Sequence, residues 1–153
     1  MALDLAYRDA RPDDLPVLVA MLADDPLGAT REGAADDPAY ARALDEVARS
    51  PGQRIVVAEG EDGIVGMLQL VVMPGLARRG MRRGQIEAVR VAAPFRGQGV
   101  GERLIRWAIE ACRAEGCGLV QLTSDRARAD AHRFYERLGF APSHLGYKLA
   151  LDP

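Results

Sequence analysis

VRVAAPFRGQGVGERLIRWAI, residues 89–109, carries a strand, a turn and a helix without interruption. The apolar run up to Ala92 reads as a strand end. RGQGVG (96–101) follows, with three glycines in six residues. Beyond it, Leu104, Ile105, Ala108, Ile109 and Cys112 share one helical stripe, with Arg103, Arg106, Glu110 and Arg113 outside it. This spacing predicts a helix from about Gly99 to Glu115, closed by Gly116 and Gly118. A strand, a glycine turn and a helix start together make an anion site. The first helical amides have no partner inside the helix, and the helix dipole adds positive character there. Glycines let a phosphate approach those amides, and Arg96 adds a full charge.

Two familiar phosphate loops do not fit. A P-loop needs Lys and Ser/Thr after its last glycine, where this chain has Glu102 and Arg103. A Rossmann fingerprint needs Gly-x-Gly-x-x-Gly after the first strand, whereas these glycines stand at 97, 99 and 101, after four predicted strands. Taken alone, the glycines are weak evidence, and a tight strand-to-helix turn with no ligand is the alternative reading.

Outward from this stretch, the chain reads as one domain over residues 1–153. LDLAYRDA (3–10) alternates as a strand. Pro12, Asp13 and Asp14 open a helix with Leu15, Leu18, Val19 and Leu22 on one face. Residues 23–38 form a turn-rich loop, and Pro38 starts a second helix to Ser50. Residues 53–73 read as a hairpin around Glu61-Asp62-Gly63. Residues 74–84 read as a loop. QIEAVRVA (85–92) is a strand whose alternation puts Ile86, Ala88 and Arg90 on one face and Glu87, Val89 and Val91 on the other. A strand over 118–124, a helix over 127–139 and a final pair of strands over 140–151 complete the pattern. The fold class expected is α/β: a mixed, mostly antiparallel sheet of six to seven strands with about four helices on its faces.

Composition narrows the function. With 153 residues, 48% hydrophobic and 27% charged, the chain suits a soluble globular domain. A net charge of −2 gives no basic field for nucleic acid. No apolar run reaches the length of a membrane span, and the N-terminus lacks signal-peptide order, so a cytoplasmic location is expected. The two cysteines, Cys112 and Cys117, form neither a C-x-x-C pair nor a cluster with histidine, so no metal site is expected.

The stretch 89–109, followed by AHRFYERLGF (131–140), resembles the GNAT superfamily of acyl-CoA-dependent N-acetyltransferases. That family carries Arg/Gln-x-x-Gly-x-Gly/Ala at this turn, here Arg96, Gly99 and Gly101. It also carries Tyr-x-x-x-Gly-Phe on a later helix, here Tyr135, Gly139 and Phe140. The resemblance implies acetyl-CoA as cosubstrate. It implies that the amides around Gly97, Gln98, Gly99, Val100, Gly101 and Glu102 hold the coenzyme's pyrophosphate. It implies too that the strand at Val89, Arg90 and Val91 pairs with the pantetheine arm, whose two amides suit a strand edge. The edge is expected to open where strands 85–92 and 118–124 splay.

Amine acetylation needs a base to free the amine, polarisation of the thioester carbonyl and an acid for the departing thiolate. Glu87 is the candidate base and Tyr135 the candidate acid, the latter mainly on the resemblance. Asp24 and Asp25, in the loop after the first helix, are candidates for holding a cationic amine. Arg79, in the basic cluster Arg78–Arg83, is a candidate contact for an acidic acceptor. Many family members have Asn seven residues before the tyrosine; this chain has Arg128 there, a candidate phosphate partner. His132, one turn before Tyr135, is a further candidate cofactor contact. No cysteine lies in either motif, so transfer is expected to be direct. The reading is acetyl transfer from acetyl-CoA to a primary amine of a small molecule. A non-catalytic acyl-CoA sensor and acetylation of a protein amine are the alternatives. Dimers are common in the family, so a homodimer is expected.

Overall fold

The computed structural model describes residues 3–152. Five strands lie in the order β1-β2-β3-β4-β5: Ala6–Asp9, Gln53–Gly60, Gly63–Met73, Arg82–Val91 and Cys117–Leu122. The first four run antiparallel to their neighbours, and β5 runs parallel to β4. The mixed, mostly antiparallel sheet is therefore as expected, but with five strands rather than six to seven. The helices are α1 (Leu15–Ala23), α2 (Pro38–Arg49), α3 (Ala77–Gly80), α4 (Val100–Ala114) and α5 (Ala129–Arg137). Of these, α3 is a single turn in which Arg78 and Arg79 have left-handed φ of 54° and 62°.

Local chemistry explains the elements. Pro38 sits at the start of α2, where no amide partner is lost, and the Asp37 carboxylate accepts from the Ala39 amide at 2.9 Å. The β2–β3 hairpin closes at Gly60 opposite Gly63, with Glu61 and Asp62 between. Arg8 on β1 donates to both Asp14 and Glu59, fixing the entry of α1 to the sheet. One face of the sheet buries Val56, Leu68, Leu70 and Ile86 against Leu104, Ile105, Ala108 and Cys112 of α4. The other buries Val57 and Met67 against Leu18 and Met21 of α1. Among the described residues, no helix is long and apolar enough to cross a membrane, and no three metal-binding side chains cluster.

Two departures from the sequence reading have physical causes. In β4, Glu87 pairs with Gln69 and Arg90 with Met67, so Leu68 faces two residues, Ala88 and Val89. This is a β-bulge, with Ala88 at φ 52°. The extra residue reverses the alternation. Glu87 and Arg90 share the α1 face, while Val89 and Val91 pack on the α4 side, so the predicted grouping of Glu87 with the two valines does not hold. The second departure is the final pair of strands. Residues 140–152 form no strand: they make no ladder with β5, the neighbouring edge strand of the sheet, and 141–152 are exposed throughout.

Candidate functional site

Between β4 and α4 the chain makes the tight turn that the glycines predict. Gly97 and Gly99 have φ of 74° and 79°, a region closed to most side chains, and a Cβ on either would meet nothing within 4 Å. The space in front of the loop is thus open, and a side chain would fill it. The first amide of α4 to find a backbone acceptor is Arg103, bonded to the Gly99 carbonyl at 3.1 Å. Those of Val100, Gly101 and Glu102 precede it and face forward. Val100 is fully buried and anchors the helix start, while Gln98 donates to the Pro94 carbonyl at 2.9 Å and braces the turn.

Next to this loop, β4 separates from β5. Their pairing ends at Ile86 opposite Leu122, which leaves Val89 and Val91 without a strand partner on that side; their carbonyls accept instead from Arg90 at 2.9 Å and Arg96 at 3.2 Å. A cavity of about 310 Å³ lies beside it, lined by Asp24, Asp25, Pro26, Val89, Arg90, Val91, Arg96 and Arg128. Residues separated by much of the sequence therefore converge here.

Asp25 organises the cavity. One carboxylate oxygen accepts from the Gly28 amide at 2.5 Å, and the other pairs with Arg128 at 3.1 Å and Arg90 at 3.3 Å. The Gly28 bond, helped by both guanidiniums, holds the Asp25 carboxyl below the usual carboxylate range. Arg90 is largely desolvated, which pulls its guanidinium below its ordinary value, and its Nε is buried without a partner. Asp24 pairs with Arg96 at 3.1 Å, and Arg96 also donates to the Val91 carbonyl. Arg96 thus ties the α1 loop to the end of β4. The cavity holds three arginines against two aspartates, a surplus of one positive charge.

Tyr135 on α5 stands within charge range of Arg90 and Arg128. Burial pushes its phenol above the ordinary value, and the two arginines oppose that only in part, so it is protonated at neutral pH. Its ring sits edge-on to Phe134 and Phe140, at 5.2 and 5.9 Å. Glu87 is exposed, does not line the cavity and accepts from Gln85 at 3.0 Å; Gln85 in turn accepts from Gln121 at 2.8 Å. His132 Nε2 lies 2.8 Å from the Asp125 carbonyl, a contact that bridges the β5–α5 loop when the proton is on Nε2.

Arg79 does not join this cluster. It is exposed on α3, at the opposite end of β4 from Val89, roughly 25 Å of strand away. Gly28 and Pro26 belong to the site and were missed; only the turn-rich composition of 23–38 hinted at them. A Cβ on Gly28 would lie 1.9 Å from the Leu22 carbonyl oxygen. Gly28→Ala is therefore expected to displace the loop that carries Asp25, at a cost of about 1–3 kcal/mol. An unchanged urea midpoint would contradict that packing.

Cys112 is fully buried and its thiol is pushed up to about 11 by desolvation, so it is a core residue rather than a nucleophile.

Comparison with known proteins identifies the family. The chain is similar to the aminoalkylphosphonate N-acetyltransferase of Salmonella typhimurium, 38% identical over 98 residues, which are 64% of this chain and 62% of that protein. It is also similar to glucosamine 6-phosphate N-acetyltransferase 1 of Oryza sativa subsp. japonica, 29% identical over 71% of this chain and 66% of that one. The alignments thus span less than two thirds of these relatives' own length. Among solved structures, a transcriptional regulator from Bacillus halodurans superposes with a TM-score of 0.93 at 43% identity, covering 97% of this chain and all of that one. The sequence profile of the acetyltransferase (GNAT) family matches residues 18–140, and the chain belongs to that family.

Proposed function

We propose that the chain is an N-acetyltransferase that moves an acetyl group from acetyl-CoA directly to a primary amine of a small molecule. The observation that carries this reading is the pairing of the open glycine loop with the freed β4 edge. The amides of residues 97–102 fit a pyrophosphate, because the space a Cβ would take at Gly97 and Gly99 is open. The Val89 and Val91 amides, which have no strand partner there, suit the carbonyls of a pantetheine arm, while the Arg90 and Arg96 side chains that hold the two carbonyls can yield to its amides. Arg96 and Arg128 add positive charge beside that path. Bound acetyl-CoA supplies an activated acetyl thioester.

The chain's own groups divide the remaining work. Tyr135, kept neutral by burial, donates a proton to the leaving sulfur. Glu87 takes the amine's proton, through water, since its carboxylate is solvated on the face that Arg90 shares. Its bond from Gln85 holds the carboxylate in place. Asp25 does not serve as a free amine ligand, because both its oxygens are already engaged; it orients Arg90 and Arg128 instead. The surplus positive charge and the unpartnered Arg90 Nε favour an acceptor that carries an anionic group beside its amine. Phosphonate- or phosphate-bearing amines, the acceptors named for the two relatives, have that chemistry.

The test is thiol release from acetyl-CoA with a panel of amines: 2-aminoethylphosphonate, glucosamine 6-phosphate, their uncharged counterparts and polyamines. Turnover confined to the anionic amines supports the reading; turnover with polyamines alone refutes the anionic acceptor. Thiol release with none, despite acetyl-CoA binding, favours a sensor. In the same assay Glu87→Gln is expected to lower kcat by about 10²-fold and leave acetyl-CoA affinity unchanged. An unchanged kcat across pH would remove Glu87 from the chemistry.

A further inference from the structure

Glu87 is held by a chain of side-chain amides rather than by a charge. Gln121 of β5 donates to the Gln85 side-chain carbonyl at 2.8 Å, and Gln85 of β4 donates to Glu87 Oε1 at 3.0 Å. Gln85 and Gln121 are strand partners, and both are half-buried. Glu87 stands two residues along β4 from Gln85, on the same side of the strand. Gln69, opposite Glu87 on β3, donates instead to Gln53 at 3.4 Å. Among the described residues, Gln85 is thus the one side chain that bonds Glu87, and no basic group pairs with it. Asp14, Asp24 and Asp25, by contrast, are each taken by an arginine.

The chain has one sense. An ionised carboxylate only accepts, so Gln85 must turn its NH2 to Glu87 and its carbonyl to Gln121. Gln121 must then turn its own NH2 to Gln85, and the two bonds strengthen each other in that sense. Its place in the sheet matters too. It bridges the penultimate rung between β4 and β5, whose pairing ends one step on at Ile86 and Leu122. Glu87 lies past that end and has no partner on β5, and the bulge at Ala88 follows it directly. Gln85 is therefore what ties its carboxylate to β5. A neutral amide suits that task. An arginine holds a carboxylate by offsetting the charge a base needs, whereas an amide fixes its direction and leaves the charge in place.

We propose that Gln85 and Gln121 are positioning residues for the transfer: anchored on β5, they aim the Glu87 carboxylate at the water that carries the amine's proton. The proposal rests on the assignment of Glu87 as the base. The proton passes from the amine to water and from water to Glu87; none passes along the glutamines.

The test is a kinetic cycle with acetyl-CoA and 2-aminoethylphosphonate or, where that is not turned over, the amine of the panel that is. Gln85→Ala is expected to lower kcat by about 10-fold, as a misaimed base does, with the KM for acetyl-CoA unchanged. Beside Glu87→Gln, the same change is expected to lower kcat no further, because it acts only through Glu87. A glutamine that merely supports the sheet would cost the same factor in both backgrounds. Gln121→Glu keeps the side-chain length but cannot donate when ionised. It competes with Glu87 for the Gln85 NH2, so kcat is expected to fall further than in Gln121→Ala. Equal factors in both backgrounds, or wild-type kcat in Gln85→Ala and Gln121→Glu, overturn the proposal and leave Glu87 its role. Wild-type kcat in Glu87→Gln removes the base and the proposal together. A wild type that turns over no amine removes the transfer reading, and the proposal with it. Should Gln85→Ala not fold by circular dichroism, Gln121→Glu in the two backgrounds decides: a loss that vanishes beside Glu87→Gln supports the chain, and an equal loss refutes it.

Discussion

Gly99→Val is expected to weaken acetyl-CoA binding by about 100-fold or more, equivalent to about 2.7 kcal/mol. Gly99 precedes α4 with φ 79°, a conformation that a β-branched residue resists, and its missing Cβ leaves the loop open in front. Valine would both strain the turn and occupy the space where a phosphate meets the amides of Val100 and Gly101. Strain alone also weakens binding if it loosens the fold, so a matched control is needed. Gly116 provides one. Its φ is 77°, a Cβ there also meets nothing within 4 Å, and it follows the other end of α4. Gly116→Val is expected to lose similar stability while binding acetyl-CoA as the wild type does. Equal loss of binding in both variants would mean that backbone strain, not the cradle, explains the effect.

Tyr135→Phe is expected to lower kcat by about 10²-fold with little change in stability. The ring keeps its edge contacts with Phe134 and Phe140, and no hydrogen bond is lost, because the hydroxyl makes none to the described residues. What disappears is a proton donor that burial keeps neutral. Because the phenol's pKa lies above its ordinary value, the proton stays on through neutral pH and leaves only above about pH 10. In wild type, any loss of kcat tied to Tyr135 therefore belongs to that alkaline range. Full turnover in Tyr135→Phe would make the tyrosine a packing residue.

Elements with strong local chemistry were legible from the sequence. The stripe from Leu104 to Cys112 predicted α4 within a residue at each end, and Pro38 marked the start of α2. The glycine turn was legible because Gly97 and Gly99 are required by their φ angles. The bulge at Ala88 was not read: the adjacent apolar residues Ala88 and Val89 interrupt the alternation, but such a break in a short run is also compatible with a regular strand, and the extra residue is fixed by pairing with β3. That one residue moved Glu87 to the other face from Val89. The charge network was equally hidden. Asp25 meets Arg128 across 103 positions and Asp24 meets Arg96 across 72, so spacing alone could not join them. Arg79 failed because a basic cluster in a loop says nothing about which end of a strand it flanks. The final pair of strands expected over 140–151 failed for a related reason: an apolar pattern makes a strand only when its backbone pairs with a neighbour, and this segment pairs with none among the described residues.

Titration of acetyl-CoA into the wild-type chain, followed by calorimetry, tests the central claim most directly. The account predicts saturable binding of one acetyl-CoA per chain. Absence of binding would mean that the glycines of RGQGVG serve only to turn a strand into a helix, and the proposed transfer would fall with it.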